Sequence, residues 1–301
     1  MNTPGWRCKV RDDMATPMLP LASWPLEQRR NIIGVFTDID DTLTTHQAIT
    51  PDALHALSDL KAAVLAVIPI TGRPVGWCQP HAQGDAARGL PAWAVDAMVA
   101  ENGGVAYVPE VMDKNGLQPI QNKRHQLHKI YHSDATTRAA NYARMQQVAQ
   151  IIVSQVPGSA LSTDHAGRET DIAIDYNEIS LLPPDKVAQV VALFQAHGMH
   201  ATVSSIHVNG WFGSHNKLEA ARWMTRTLFD RTLDDEIDRW VYVGDSTNDQ
   251  LMFQHFPHSV GVANISRFAA QLQHWPRYVT PSERGAGFAE VAQALLAARA
   301  A

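Results

Sequence analysis

The chain lacks the features that define several large classes of protein. Its 301 residues include only two cysteines, Cys8 and Cys78, which are too few for a disulfide framework and indicate a reducing compartment. The longest clear apolar run, residues 62–70, is too short to cross a bilayer. The first thirty residues contain no apolar stretch typical of a secretory signal. We therefore expect a cytoplasmic protein.

A large excess of charge of one sign is also missing. The formal net charge is −5 at pH 7, with 18% charged and 45% apolar residues. These values are typical of globular proteins, and they provide neither a basic surface for nucleic acid nor a polybasic membrane anchor. We therefore expect neither a nucleic-acid nor a membrane partner, and the composition gives no indication of the oligomeric state.

Apolar strands alternate with helices towards both ends of the chain. The sequence predicts a strand that starts near Ile32, a helix that starts at Pro51 after the capping residue Thr50, and a second buried strand within residues 63–71. Further elements are predicted in the order of the chain: strands at 97–100, 240–245, 259–263 and 278–280, a helix from Lys217 and a closing helix at 288–296. This alternation is typical of an α/β protein with a Rossmann-like parallel sheet.

The middle of the chain follows a different pattern. Helical spacing occurs within 142–152 and 187–194, and residues 170–176 and 201–208 alternate as half-buried antiparallel strands do. We therefore expect an inserted α+β domain whose sheet has one wet face. The predicted organisation is a loosely ordered extension at 1–28, a core domain at 29–107 and 210–301, and a cap domain at 108–209.

The first predicted strand ends in a cluster of carboxylates. The stretch IIGVFTDIDDT, residues 32–42, places Asp38, Asp40 and Asp41 directly after apolar residues. Like charges this close together destabilise a fold unless a metal ion or another cation neutralises them. Taken alone, the stretch is equally compatible with a strand followed by an acidic capping turn.

Three further polar segments are predicted to lie at the same edge of the sheet. Ligands of parallel α/β sheets bind beyond the carboxyl ends of the strands. Asp38 and Asp40 are expected there together with residues 71–73, Lys217 and residues 244–249. Carboxylate and amide oxygens are ligands that Mg²⁺ prefers, and the sequence offers no Cys/His set for zinc. Mg²⁺ beside a carboxylate, a lysine and a hydroxyl favours phosphoryl transfer.

These segments resemble, in order, the four motifs of the haloacid dehalogenase (HAD) superfamily. The matching residues are DIDDT at 38–42, TGR at 71–73, Lys217 and GDSTND at 244–249. The insertion between the second and third motifs resembles the large α+β cap of the sugar-phosphatase-like type IIB group. The resemblance implies a Mg²⁺-dependent hydrolase of phosphate monoesters, acting on a phosphorylated sugar or a similar small metabolite through an aspartyl-phosphate.

The resemblance also implies a catalytic role for four residues. Asp38 would attack phosphorus, and Asp40 would protonate the leaving alcohol and then deprotonate the attacking water. Thr71 would hold a phosphoryl oxygen, and Lys217 would orient Asp38. ATPases of the superfamily carry Thr where this chain has Asp40, so this carboxylate favours phosphatases and phosphomutases.

The ligand-binding residues follow from the same resemblance. Mg²⁺ would be held by the Asp38 side chain, the Asp40 backbone carbonyl and Asp245, with Asn248 and Asp249 in the first or second coordination shell. Asp249 is about equally compatible with organising its loop and Lys217. Four residues are candidates for binding substrate: Gly72 and Arg73 in the second motif, and Arg168 and His207 in the cap, where they resemble positions near the sugar-binding strands of mannosyl-3-phosphoglycerate phosphatases.

Two other functions are compatible with the same motifs. A phosphomutase of the phosphomannomutase type would return the phosphoryl group from Asp38 to a sugar, although no clear copy of that family's cap signature is present. A catalytically silent sensor of phosphorylated ligands would keep the scaffold but would have no use for the acid Asp40.

Overall fold

A computed structural model describes residues 18–109 and 127–300. The strands within these ranges are β1 (Leu19–Pro20), β2 (Gly34–Thr37), β3 (Thr44–Thr45), β4 (Ala48–Ile49), β5 (Ala66–Pro69), β6 (Met98–Ala100), β7 (Val105–Pro109), β8 (Leu127–Tyr131), β9 (Ala160–Leu161), β10 (Ile172–Asp175), β11 (His200–Val203), β12 (His207–Trp211), β13 (Trp240–Gly244), β14 (His258–Gly261) and β15 (Tyr278–Val279). The helices are α1 (Leu26–Arg30), α2 (Pro51–Ala62), α3 (Val75–Gln83), α4 (Ala135–Gln155), α5 (Pro184–Ala196), α6 (Lys217–Phe229), α7 (Gln250–His255) and α8 (Arg284–Ala300). None of the helices in these ranges is long and apolar enough to cross a membrane.

A parallel sheet forms the centre of the fold, as predicted, and it has six strands. Its order is β1-β15-β14-β13-β2-β5, and every neighbouring pair is parallel. Two clusters of buried apolar side chains cover its two faces. Gly34 in β2 is required by this packing, because a Cβ atom there would lie 2.2 Å from the ring of Trp240 in β13. The two central strands therefore pack closely and carry their following loops side by side.

A second sheet continues from the β5 edge. The strand predicted at 97–100 is confirmed as β6, and Val99 makes one parallel bridge to Ile70 just beyond β5. β6 then pairs antiparallel with β7, and β7 pairs with β8. β8 falls within the segment that the sequence assigns to the cap, yet it pairs on the side of the core.

The cap sheet has the order β11-β12-β10-β9 and is antiparallel, as predicted. Helices α4 and α5 pack against it around a third apolar cluster. The expectation of a wet face is wrong for β10 and β12, which are buried along their whole length. On this sheet Asn209 of β12 contacts the core instead of water, because its amide donates to Gly72 O at 3.2 Å.

The expectation of a loosely ordered extension is wrong for residues 18–28, while residues 1–17 lie outside the described part of the chain. β1 adds to the edge of the central sheet beside β15. Trp24 is buried and its ring stacks on Tyr278, with 5.4 Å between ring centroids. This stretch contains two prolines, Pro20 and Pro25, and no periodic apolar pattern. Its order therefore depends on a few buried side chains, such as Leu21 and Trp24.

We predict that Trp24→Ala lowers the free energy of unfolding by about 3–4 kcal/mol, because it empties a buried site between the first segment and the sheet. Leu26→Ala is the control: Leu26 is 40% exposed, and its truncation should change stability by less than about 1 kcal/mol. Urea unfolding followed by circular dichroism measures both. Equal effects of the two substitutions would contradict the docking of this segment.

Candidate active site

The carboxyl ends of β2, β5 and β13 bring the first, second and fourth motifs together. Thr37 at the end of β2 is paired with Val243 on one side and Pro69 on the other. The Asp38 backbone N–H donates to Val243 O at 2.8 Å, and the Ile70 N–H donates to Thr37 O at 2.8 Å. The sheet register therefore sets the relative positions of the loops that follow these strands.

Lys217 forms a buried ion pair with two carboxylates. It is the first residue of α6, whose N-terminus is capped by Asn216 Oδ1 accepting from two backbone N–H groups at 2.9 Å. Lys217 Nζ lies 3.0 Å from Asp38 Oδ1 and 2.7 Å from Asp249 Oδ1. Burial raises the pKa of Asp38 to about 7 even though Lys217 opposes the shift. The lysine thus holds Asp38 in place and partly offsets its charge.

The contacts of Asp249 favour the loop-organising role. Its Oδ1 accepts from Lys217 Nζ and from the Tyr242 hydroxyl. Its Oδ2 accepts from the backbone N–H groups of Asp245 and Ser246 at 2.9 and 3.1 Å. Both oxygens of this buried carboxylate therefore have protein partners, and they fix the loop after β13 against Lys217.

Asp245 differs from Asp38 and Asp249 in having only neutral donors as partners among the described residues. Its oxygens accept from Thr42 Oγ1 at 3.4 Å and Asn264 Nδ2 at 3.2 Å. Among residues 18–109 and 127–300, no Lys, Arg or His side chain lies within the 4.0 Å ion-pair distance of it. Burial, reinforced by the charges of Asp38 and Asp249, raises the pKa of Asp245 well above its usual range.

This set of oxygens fits a hard divalent cation. One carboxylate oxygen from each of Asp38, Asp245 and Asp249 can be chosen so that all lie within 4.8 Å of one another. A buried carboxylate with only neutral donors is destabilising unless a cation binds it. The Oδ1 atom of Asn248, the remaining metal candidate with a side-chain oxygen, accepts from Ser246 Oγ at 2.9 Å.

The Asp40 side chain pairs with Arg73, whereas Asp38 pairs with Lys217. The guanidinium donates to it through Nε and Nη2 at distances of 2.9–3.0 Å. The opposite Nη1 atom lies 3.5 Å from Asp164 and 3.6 Å from Glu178, both in the cap segment. Arg73 therefore connects the second carboxylate of the DxD pair to the cap, and neither of these cap acids was singled out from the sequence.

The remaining predicted site residues lie in a buried network between core and cap. Thr71 Oγ1 accepts from the Arg73 N–H at 3.1 Å, and Gly72 O accepts from Arg168 Nη1 at 3.0 Å. Arg168 also contacts Asp171 at 2.7 Å and Asp164 at 3.1 Å. These contacts occupy the guanidinium and favour a positioning role over substrate binding.

His207 likewise has a protein partner, since its Nε2 lies 2.9 Å from Glu178 Oε2.

No motif or periodicity marks Asp164, Glu178 or Asn264 in the sequence. Only Asn264 has a position that could have indicated a role in the site, because it follows β14 at the carboxyl edge of the sheet. The sequence therefore indicates the chemical half of the site more fully than the half contributed by the cap.

Comparisons with known proteins agree on the fold. No protein-family model matches the sequence, and no curated protein matches it. Among solved structures, the sucrose-phosphatase from Synechocystis sp., in complex with sucrose and phosphate, is 17% identical with a TM-score of 0.59, covering 88% of this chain and 98% of that one. A Thermoplasma acidophilum protein is 15% identical with a TM-score of 0.61, covering 88% and 98%.

A third structure, the HAD subclass IIB sugar phosphatase BT4131, is 14% identical with a TM-score of 0.52 and covers 82% of this chain and 93% of its own. At these identities the likeness concerns the fold. The chain shares the fold of these structures, a Rossmann-like core with an inserted cap, as the four motifs predicted.

We predict that Asp245→Asn stabilises the protein by at least about 1 kcal/mol at pH 8 when no divalent cation is present, because it removes a buried unpaired charge. The raised pKa means that the folded protein holds this proton to higher pH than the unfolded chain does. The contribution of Asp245 to stability is therefore most favourable below its ordinary pKa of 3.8, and the wild type loses stability relative to the variant as the pH rises.

Thermal unfolding in EDTA between pH 5 and pH 8 measures this difference. Asp59→Asn, at an exposed position of α2, is the control and should show no such trend. A variant less stable than the wild type at pH 8 would contradict the assignment of Asp245 as an unpaired charge.

Proposed function

We propose that the protein is a Mg²⁺-dependent phosphomonoester hydrolase that acts on a phosphorylated sugar or a similar small metabolite through an aspartyl-phosphate. The observation that carries the proposal is the arrangement of Asp38, which is buried, held by Lys217 and adjacent to Asp245. Asp245 has no cationic partner within 4.0 Å among residues 18–109 and 127–300. The comparisons support the substrate class, because two of the similar structures are a sucrose-phosphatase and a sugar phosphatase.

The two carboxylates of the DxD pair have separate tasks. Asp38 attacks phosphorus while Lys217 keeps its carboxylate oriented and offsets negative charge. Asp40, held away from Lys217 by Arg73, protonates the leaving oxygen and then takes a proton from the water that hydrolyses the aspartyl-phosphate. The Thr71 hydroxyl donates to a phosphoryl oxygen while its own oxygen still accepts from the Arg73 N–H.

The carboxylates of Asp38 and Asp245 and the backbone carbonyl of Asp40 would hold Mg²⁺, with Asp249 fixing the loop around it. The ion supplies positive charge that offsets the charge of the phosphoryl oxygens. Burial of Asp38 and Asp245 beneath the cap is compatible with a reaction carried out in a site from which bulk water is excluded.

We predict that Asp38→Asn lowers kcat/KM for a phosphate ester at least roughly 1,000-fold, because the amide is a poor nucleophile. Asp40→Asn should lower the rate about 100- to 10,000-fold for an alkyl phosphate. Asp41→Asn is the matched control: Asp41 pairs with Arg284 at 2.9 Å, and its loss should change the rate less than about fivefold. Comparable losses in Asp38→Asn and Asp41→Asn would contradict the assignment.

The time course of product release also distinguishes the role of Asp40 from that of Asp38. An aryl phosphate has a leaving group that needs no acid, so Asp40→Asn should release one equivalent of nitrophenol from p-nitrophenyl phosphate in a burst and then turn over slowly. Stopped-flow absorbance measures this burst. Slow release from the first turnover would contradict a separate role for Asp40 in hydrolysing the intermediate.

Activity should be lost in EDTA and restored by Mg²⁺, and Asp245→Asn should need at least about tenfold more Mg²⁺ for half of its maximal rate because it loses an anionic ligand. Initial rates over a Mg²⁺ titration measure this, with Asp59→Asn as the control. Equal Mg²⁺ requirements of wild type and Asp245→Asn would contradict the metal assignment.

A further inference from the structure

The charge around Arg73 bears on which phosphate esters the site accepts. Three carboxylates lie against this one guanidinium: Asp40 on the Nε and Nη2 edge, and Asp164 and Glu178 at Nη1. In the described part of the chain, the other cationic or titratable partners within 4.0 Å of these carboxylates are Arg168 and His207. Arg168 is itself shared between Asp164 and Asp171, so the group keeps an excess of negative charge.

The two cap carboxylates are held in place rather than being mobile surface groups. Glu178 lies on a tight turn in which Asp175 accepts from four successive backbone N–H groups, those of residues 177–180, at 2.7–3.2 Å. Asp164 accepts from Ser162 Oγ at 2.7 Å. A hydrogen bond from His207 lowers the pKa of Glu178. The pKa of Asp164 is lowered too, since Arg168 and Ser162 outweigh its burial.

These carboxylates lie on the leaving-group side of the proposed reaction. Asp40 must reach the leaving oxygen to protonate it, so the rest of the leaving group occupies the space next to Asp40 and its partner Arg73. Asp164 and Glu178 contact the same Arg73 guanidinium that Asp40 contacts. A second anionic group on the substrate would approach fixed negative charges in a partly dehydrated site, where repulsion is strong. Hydroxyl groups, by contrast, donate readily to carboxylates.

We propose that Asp164 and Glu178 select phosphate esters whose leaving group is polyhydroxylated and uncharged or cationic, and that they reject leaving groups carrying a carboxylate. This inference rests on the proposed phosphatase function and adds the charge class of the substrate. It also assigns Arg168, which is occupied by Asp164 and Asp171, to positioning the cap rather than to binding a substrate carboxylate.

The test compares matched pairs of esters that differ only in a carboxylate in place of a CH2OH group: glucitol 6-phosphate with 6-phosphogluconate, and glycerol 3-phosphate with 3-phosphoglycerate. Phosphate release with Mg²⁺ at pH 7.5 gives the ratio of kcat/KM values within each pair, and p-nitrophenyl phosphate reports the basal reaction. We expect the ester whose leaving group lacks a carboxylate to be preferred at least about tenfold. A ratio of one or less in either pair overturns the proposal.

The same ratios are measured in Glu178→Gln, Asp164→Asn and the control Asp185→Asn, which removes an exposed carboxylate elsewhere in the cap. Each of the first two should lower the preference about three- to tenfold, and the control should leave it unchanged. A wild-type preference that none of the variants lowers, or that Asp185→Asn lowers equally, overturns the assignment to these two acids. Thermal unfolding confirms that each variant folds.

Failure of the proposed function gives a different result: no ester, including p-nitrophenyl phosphate, would be hydrolysed. Calorimetric titration of the pairs into the wild type then tests the charge selection separately. At least tenfold tighter binding of the ester without the carboxylate would support the inference. Equal binding, or no binding of either ester, would overturn it.

Discussion

The arrangement of the site depends on the repulsion among carboxylates buried at the carboxyl end of the central sheet. Asp38, Asp245 and Asp249 lie within reach of a common ion, and Lys217 pairs with only two of them. Buried like charges would disrupt an ordinary core, so the surrounding structure is built to hold them. β2 and β13 fix the backbone, Tyr242 and two backbone N–H groups satisfy Asp249, and Asp245 keeps the charge that a cation would neutralise.

A second buried polar network joins the cap to the core. Glu101, between β6 and β7, accepts from backbone N–H groups at Val75, Glu169, Thr170 and Asp171 and from the Thr170 hydroxyl. Burial raises the pKa of Glu101 to about 7, against the effect of these donors. Buried polar networks are stable only when nearly every member has a partner. This network therefore specifies one relative placement of the β10 entry and the α3 N-terminus, which carries the TGR loop.

The sequence indicates which core residues lie together at the candidate site but not which cap residues join them, for a physical reason. Asp38, Thr71, Lys217 and Asp245 each lie next to an apolar strand or at a helix start, so local pattern and position indicate them together. Asp164 and Glu178 reach Arg73 only through contacts that span about a hundred residues of chain, and no local pattern records such a contact. The same limit applies to Trp24, whose partner Tyr278 lies near the other end of the chain.

Arg73 connects the part of the site in the core to the part in the cap. Its Nε and Nη2 edge holds the carboxylate that would exchange protons with substrate and water, and its Nη1 atom contacts two cap acids. A planar guanidinium holds such partners in fixed directions, which an ammonium group would not do. The placement of Asp40 therefore depends on charges that the cap contributes. In the proposed mechanism, proton transfer by Asp40 and substrate selection by the cap acids would both depend on the Arg73 side chain. A change in the cap acids would then alter both the charge near the leaving group and the ion pair that positions Asp40.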